Sequence, residues 1–549
     1  MNTNNTLANY IDDVVLKFGE REAIVFPENN IRYTYKAFKS LYDNIATTLL
    51  RLGVKKGDHV AIWALNSSEW IALQIATAKI GAVLICLNSN YNKMELKYAL
   101  NHSDSTTLFL EKSCQDMNFL DILFKICPEL KSCEKGKLKS ENIPKLKNII
   151  LLNTFENNED EYSKNIYNLS TLLAANNNIY DNLLEKTEIV LDCNDIVNIQ
   201  YTSGTTGNPK AVMITNYALL NNAIKTGEEF QYNENERLLL CLPLFHVMGC
   251  ILSAIVCLTF GATIVVVKKF KTSTILKILE AEQCTAINAV PAMFNFLLEH
   301  EDFNKYDLSS LKKGMIAGSL CSKKLLSQIV NKMGMSGLTI IYGQTEALSI
   351  TALSYVDDDN QIITVGSGLA SVLTKVIDSN TGEELPYMIE GELCTKSPYL
   401  MKGYYKDELS TRKAIDEDGW LHTGDLATKH KDGCVQLKGR LKDNIIRGGE
   451  NISPLEIEEF LNTHNSIKDC SVIGVPDKHL GEAICLFVIL KEGHSMDVDE
   501  IKNHIKENLA KYKTPKYIEI VSVFPMTSSG KIKKFILKEI IIKKYNLEF

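Results

Sequence analysis

One ten-residue stretch limits the fold more than any other: Tyr201-Thr202-Ser203-Gly204-Thr205-Thr206-Gly207-Asn208-Pro209-Lys210. An apolar run, Ile196-Val197-Asn198-Ile199-Gln200, precedes it, and a second, Ala211-Val212-Met213-Ile214, follows. Both runs read as strands. A loop of hydroxyls and glycines between strands lets backbone N–H groups and side-chain hydroxyls converge on phosphate oxygens, and a lysine adds positive charge. Glycine is needed where the backbone approaches a ligand or takes positive φ. The stretch is not a Walker loop, which needs a glycine just before the lysine and a hydroxyl just after it. Pro209 and Ala211 hold those places. A plain surface turn rich in Ser, Thr and Gly is the alternative, but such a turn has no need of a Pro-Lys ending ahead of a strand.

Length and charge narrow the class. At 549 residues the chain is expected to form more than one domain. A net charge of −7 argues against a nucleic-acid or other polyanion binder. The 14 cysteines are scattered singly, without zinc-site spacing, so neither a metal cluster nor a disulfide framework is expected. Such thiols suit a reducing compartment, and the cytoplasm is the expected location. Asp12, Asp13 and Glu20 argue against a secretory or mitochondrial leader, and the final Asn546-Leu547-Glu548-Phe549 is not a peroxisomal address. Residues 249–267 carry no charge, but Ser253, Thr259, Gly261 and Thr263 interrupt them. They read as a buried helix, a glycine turn and a buried strand rather than a membrane span.

Strand-like and helix-like patterns alternate through residues 1–110. Residues 58–64 and 83–87 read as strands, with a helix over 68–80 between them. That order predicts a parallel sheet covered on both faces. From about Asp443 the pattern is that of a smaller α+β domain, with a helix over 455–462 that has Pro454 just ahead of it.

Further motifs are weak alone. His246 stands in Leu242-Pro243-Leu244-Phe245-His246-Val247-Met248-Gly249, where a core histidine is the ordinary reading. Gly314-Met315-Ile316-Ala317-Gly318-Ser319 is a strand entering a small-residue turn. Thr339-Ile340-Ile341-Tyr342-Gly343-Gln344-Thr345-Glu346 is a strand ending in a hydroxyl and a carboxylate, groups that can hold phosphate and Mg²⁺. Residues 365–371 imitate a dinucleotide fingerprint but lead into a strand, not a helix. Trp420-Leu421-His422-Thr423-Gly424-Asp425 ends in a carboxylate, the natural acceptor for two ribose hydroxyls. Lys438-Gly439-Arg440-Leu441-Lys442-Asp443, Arg447-Gly448-Gly449-Glu450 and Pro525-Met526-Thr527-Ser528-Ser529-Gly530-Lys531 complete the series.

In this order the motifs resemble those of the adenylate-forming superfamily, which includes acyl-CoA synthetases, peptide-synthetase adenylation domains and luciferases. The resemblance runs from about residue 20 to about residue 540. Ala211 stands where the family usually has glycine. Likeness outside the motifs, at Asn90-Tyr91-Asn92-Lys93-Met94-Glu95-Leu96 and Ile126-Cys127-Pro128-Glu129-Leu130, is greatest to medium-chain acyl-CoA synthetases of the family-member-2 type and to bacterial fatty-acid–CoA ligases.

The resemblance implies an α/β fold. A large N-terminal domain of layered α/β subdomains with a β-barrel-like part would span 1–440, and a small mobile α+β lid would span 441–549. It implies that Thr202, Ser203, Gly204, Thr205, Thr206, Gly207 and Lys210 hold phosphate. Gly318, Ser319, Tyr342, Gly343 and Gln344 would border the adenine, with Tyr342 packed on it. Thr345 would touch phosphate, Glu346 would hold Mg²⁺, and Asp425 and Arg440 would bind ribose. His246 would line the acyl site, Lys442 would be the hinge, Gly449 would border the thiol tunnel and Lys531 would be the catalytic lysine. The implied substrates are ATP, a carboxylic acid and CoA. The same motifs also suit an enzyme that loads a carrier protein, and a non-catalytic nucleotide-binding relative is the reading from another class.

Overall fold

The strands His59–Trp63, Val83–Cys86, Thr107–Leu110 and Asn148–Leu151 are short apolar runs because both faces of their sheet are covered. Val60, Ile62, Leu84, Cys86, Phe109 and Ile150 face one core. Ala61, Trp63, Val83, Ile85, Leu108 and Leu110 face another. In the computed structural model of the chain, the described residues are 2–113, 118–152, 165–176, 183–187, 189–202, 209–318, 321–348, 350–355, 364–369, 371–447, 450–477, 480–509, 511–527 and 531–547. They divide into two compact units. The first comprises Met1–Gln361, Gly368–Val372 and Lys396–Leu421, and the second comprises Ile362–Ser367, Leu373–Thr395 and His422–Phe549. The sequence-expected boundary after residue 440 falls inside the second unit.

The first unit holds two eight-stranded sheets. In one, the order is Gly403–Tyr404, Lys210–Thr215, Ile196–Thr202, Val83–Cys86, His59–Trp63, Thr107–Leu110, Asn148–Leu151 and Tyr167–Asn168. Its strands run parallel except where Lys210–Thr215 turns back beside Ile196–Thr202 and Gly403–Tyr404 pairs with it. In the other, the order is Ala352–Tyr355, Gly337–Tyr342, Lys313–Ile316, Ala286–Ile287, Arg237–Leu240, Thr263–Val266, Glu22–Phe26 and Ile31–Thr34. Its two edge strands are antiparallel and its centre is parallel.

Helices cover these sheets, and side chains fix where they begin. The Ser67 hydroxyl accepts from Trp70 N at 3.1 Å to start Ser68–Lys79, and the Thr215 hydroxyl accepts from Ala218 N at 3.1 Å to start Asn216–Glu229. Each such cap stabilises its helix by about 1 kcal/mol. Ser68–Lys79 is buried over most of its length, and its Lys79 reaches Asp12 at 2.7 Å and Asp43 at 2.6 Å, tying three helices together. Residues 249–267 form a buried helical segment, a turn at Gly261 with φ +72°, and the buried strand Thr263–Val266. Among the described residues no helix is long and apolar enough to cross a membrane.

The second unit holds two further sheets. Leu373–Ile377, Gly391–Lys396, Leu421–Lys429 and Val435–Arg440 form a four-stranded sheet. Glu450–Ile452, Ile445–Arg447, Gly481–Leu490 and Ile467–Asp477 form another, with Tyr517–Ile520 added in parallel to Gly481–Leu490. The helices Pro454–Asn462, Val498–Asn508 and Lys534–Tyr545 accompany it, which makes this part the small α+β domain.

Candidate active site

In an open parallel sheet, ligands sit beyond the carboxyl ends of strands where the chain order reverses. The second sheet of the first unit reverses at Arg237–Leu240. Its successor Thr263–Val266 lies on one side and Ala286–Ile287 on the other. The segments that leave this carboxyl edge carry the sequence-expected residues His246, Gly318, Tyr342, Gly343, Gln344, Thr345 and Glu346.

The loop that carries His246 is held from below. Asn66 Nδ2 donates to Leu242 O at 3.0 Å and to Val267 O at 3.2 Å, and Leu244 N donates to Asn66 Oδ1 at 2.9 Å. Gly249 comes so close that an added Cβ would lie 2.2 Å from Pro243 O. His246 precedes the short helix Val247–Gly249, and the chain continues as a π-helix over Cys250–Ile255. Ser253 Oγ, which donates to Met248 O at 2.7 Å, sits in this widened turn. π-helical turns concentrate at functional sites. Asn288 Nδ2 donates to Ser253 Oγ at 3.0 Å, and Met315 N donates to Asn288 Oδ1 at 3.0 Å. A buried polar chain thus links the His246 segment to the strand leading to Gly318, whose φ of +90° favours glycine.

Glu346 lies in the 3₁₀ turn Thr345–Ala347 after the strand Gly337–Tyr342. Its backbone oxygen accepts from Met401 N at 2.8 Å. Tyr404 Oη donates to Glu346 Oε1 at 2.8 Å, and Lys210 Nζ lies 4.5 Å from the centre of the Tyr404 ring. The structure therefore brings the Lys210 ammonium and the Glu346 carboxylate to one tyrosine. Burial, then the nearby Glu346 charge, pushes the Tyr404 hydroxyl well above the ordinary tyrosine range, so it stays a donor. Magnesium takes oxygen ligands and is usually held by one or two carboxylates together with phosphate oxygens. Glu346 and the adjacent Thr345 hydroxyl are of that type, and the Tyr404 bond engages one carboxylate oxygen only. The residues present fit the ion.

Thr202 pairs with Lys210 across two antiparallel strands. Ser203, Gly204, Thr205, Thr206 and Gly207 lie outside the described residues, as do Ser319 and Gly449.

Within the second unit, Asp425 and Arg440 are direct partners on neighbouring strands, with Arg440 Nε 3.0 Å from Asp425 Oδ1. Asp425 N donates to the Thr423 hydroxyl at 3.1 Å, and that hydroxyl donates to Leu393 O at 2.6 Å. Lys442 is exposed in the 3₁₀ turn Leu441–Asp443 that follows. Lys531 is exposed, with its N–H donating to the Thr527 hydroxyl at 2.9 Å, and Thr527 N donates to Lys531 O at 2.7 Å. Glu392, Cys394 and His422 also gather here. His422 Nδ1 lies 3.1 Å from Glu392 Oε2 and 3.7 Å from Cys394 Sγ.

Sequence reasoning missed Tyr404, Asn288, Ser253 and Asn66. Each makes a hydrogen bond to a residue 35 or more positions away in the chain, which no short motif announces. The only local hint is the Gly403-Tyr404-Tyr405 triplet.

Comparison with known proteins gives consistent matches over the whole length. The AMP-binding enzyme family matches residues 11–405, and the AMP-binding enzyme C-terminal domain matches residues 456–531. The chain is 42% identical over 545 residues to acyl-CoA synthetase YngI of Bacillus subtilis (strain 168), covering 99% of this chain and 98% of that protein. It is 35% identical over 548 residues to the mitochondrial medium-chain acyl-CoA ligase ACSF2 of Danio rerio, covering 99% and 89%. Among solved structures, an ATP-bound RpMatB-BxBclM chimera superposes with a TM-score of 0.85 at 24% identity, covering 99% of this chain and 100% of that one. The anthranilate CoA ligase AuaEII in complex with anthranoyl-AMP gives 0.85 at 22% identity, covering 100% and 99%.

Proposed function

Because this chain belongs to the AMP-binding, adenylate-forming enzymes, and within them to the AMP-forming acyl-CoA synthetases, we propose that it joins a medium-chain fatty acid to CoA through an acyl-adenylate. The observation that carries this reading is end-to-end similarity to two proteins named for acyl-CoA synthesis, one of them for medium chains.

In the first step a carboxylate oxygen attacks the α-phosphorus of ATP and pyrophosphate leaves. In the second the CoA sulfur attacks the acyl carbon, the thiol proton is released, and AMP departs with that carboxylate oxygen. Both reactants of the first step are anions, so the site must neutralise charge before the atoms can meet. Lys210 and the loop before it would bind the phosphates, and Thr345 would hold the α-phosphate. Glu346 would hold Mg²⁺, which when bound supplies positive charge to the phosphate oxygens. Asp425, oriented by Arg440, would accept from the ribose hydroxyls. Lys531 would bridge the acid and the α-phosphate. Rotation about Lys442 would then exchange Lys531 for the turn containing Gly449 and open the thiol path.

His246 and the apolar Leu242, Leu244, Phe245 and Val247 beside it would form the entrance for the acyl tail. A tail gains about 0.8 kcal/mol for each methylene buried, so preference should rise with chain length until the pocket is full. The test is kcat/KM over a ladder of straight-chain acids from short to long, with ATP, Mg²⁺ and CoA. A maximum in the middle of the ladder supports the reading, and a maximum at acetate or at the longest acids overturns the medium-chain assignment. We place the reaction in the cytoplasm, in keeping with the free cysteines among the described residues. Cofractionation with a mitochondrial matrix marker would contradict that placement.

A further inference from the structure

Tyr404 lies outside the motifs that suggested the site, yet it touches two of the charged groups assigned to it. Its hydroxyl donates to Glu346 Oε1 at 2.8 Å, and its ring lies 4.5 Å from Lys210 Nζ. Glu346 and Lys210 come from different sheets of the first unit, at the ends of Gly337–Tyr342 and the start of Lys210–Thr215. Tyr404 joins them from a third segment, 58 residues beyond Glu346.

The tyrosine itself is held tightly. Gly403–Tyr404 pairs antiparallel with Lys210–Thr215, with Tyr404 opposite Val212. Its N–H donates to the Thr411 hydroxyl at 2.8 Å, and that hydroxyl donates to Asp407 O at 2.8 Å. Gly403 has a φ of +142°, and an added Cβ would lie 2.8 Å from Thr411 Cγ2, so a side chain there would push the strand away. Just beyond, Tyr405 Oη donates to Asp104 Oδ2 at 2.9 Å, and Lys406 Nζ lies 2.6 Å from the same oxygen, tying the segment to the connection that precedes Thr107–Leu110. Tyr404 is 6% exposed. The hydroxyl of a buried tyrosine usually finds some hydrogen-bond partner, most simply a nearby backbone oxygen. This one spends its hydroxyl on a carboxylate with a role in the site, and presents the face of its ring to a cation.

We propose that Tyr404 is a positioning residue for adenylation: its hydroxyl fixes the Glu346 carboxylate by one oxygen, which would leave the other to hold Mg²⁺, and its ring holds the Lys210 ammonium in place, where it would bind the ATP phosphates. The inference rests on the reading of Glu346 and Lys210 given above. The hydroxyl and the ring act on different partners, so they can be separated. Tyr404→Phe keeps the ring and deletes the bond to Glu346. Tyr404→Leu deletes both.

The experiment uses the full chain and two readouts. Affinity for Mn²⁺ in the presence of a non-hydrolysable ATP analogue is read by electron paramagnetic resonance, and acid-dependent pyrophosphate exchange is read as a function of Mg²⁺. Losing one hydrogen bond to a charged group predicts a roughly tenfold weaker Mn²⁺ affinity in Tyr404→Phe and a similar rise in the Mg²⁺ needed for half-maximal exchange. The rate at saturating metal should stay within about twofold of the parent, because the chemistry is untouched once the ion is in place. Tyr404→Leu should in addition raise the KM for ATP at saturating metal, through Lys210.

A folding defect is excluded by a cycle with Glu346→Gln. Positioning through Glu346 predicts that Tyr404→Phe adds little further loss of Mn²⁺ affinity in the Glu346→Gln background, whereas general damage would add its full loss in both. If Glu346→Gln weakens Mn²⁺ binding and Tyr404→Phe does not, the inference falls and the reading of the site stands. If Glu346→Gln binds Mn²⁺ as tightly as the parent, the reading of Glu346 falls and takes the inference with it.

Discussion

Arg440 Nε stands 3.0 Å from Asp425 Oδ1, and the two residues face each other across adjacent antiparallel strands. The carboxylate is 8% exposed and the guanidinium 41%, so the pair is a buried acid held by a half-exposed cation. If Asp425 accepts from the ribose hydroxyls, Arg440 holds it correctly turned. Arg440→Ala should raise the KM for ATP about tenfold, the value of one charge-assisted hydrogen bond, and leave the KM for the acid nearly unchanged. Arg440→Lys should recover part of the loss, because an ammonium restores charge but not the planar fork. Steady-state kinetics with ATP varied at saturating acid decide the matter, and an unchanged KM for ATP in Arg440→Ala would remove Arg440 from the ribose site.

As the proposed catalytic lysine, Lys531 should separate the two half-reactions. It is exposed, with its N–H donating to the Thr527 hydroxyl, as a lysine that engages only during one step would be. Lys531→Ala is expected to lower adenylation about 10²–10³-fold, the usual cost of removing one transition-state donor. Thioester formation from supplied acyl-adenylate should continue at near the parent rate. Equal loss of both half-reactions would contradict a role confined to the first.

Asp104 gives a prediction in pH. Burial opposes its ionisation, but bonds from Lys406, Lys145 and Tyr405 prevail and hold its carboxyl down to about 2 against an ordinary value of 3.8. A carboxylate whose folded-state pKa is depressed contributes stability that is complete above the unfolded value and is lost as pH falls through the folded one. Asp104→Asn should therefore cost about 1–2 kcal/mol at neutral pH, after allowance for solvent screening of partly exposed lysines. The gap to the parent should narrow as pH falls from about 4 toward 2. Urea melts at stepped pH test this, and a gap that stays constant to the acid end would show that the effect is not Asp104 ionisation.

Much of this arrangement was legible in the sequence. The parallel sheets announced themselves because strands buried on both faces must be apolar at consecutive positions, as in Val60-Ala61-Ile62-Trp63 and Val83-Leu84-Ile85-Cys86. The uncharged residues 249–267 read as helix, turn and strand because Gly261 and the β-branched residues after it break the helical pattern. Lys210 was suggested by its loop of hydroxyls and glycines, whereas Glu346 was singled out only through the likeness of its motif to a known family, since an acid after a strand has ordinary explanations.

What the sequence hid is long-range. Tyr404 meets Glu346 and Lys210 only after three segments fold together. The chain from Ser253 through Asn288 to Met315 N is equally non-local, and nothing in the apolar run around Cys250 foretells a π-helical turn. The Glu392, Cys394 and His422 group is likewise assembled from two neighbouring strands, and cysteine spacing alone gave no sign of it.

The central claim is that the acid is activated as an adenylate before it meets the thiol, and an isotope follows it most directly. The protein is supplied with ATP, Mg²⁺, CoA and a medium-chain acid whose carboxylate carries heavy oxygen, and the products are weighed by mass spectrometry. The account predicts an acyl-CoA thioester together with AMP that has gained one heavy oxygen from the acid, because that oxygen forms the bond to the α-phosphorus and stays with it. Thioester accompanied by unlabelled AMP, or by ADP and labelled phosphate, would contradict it.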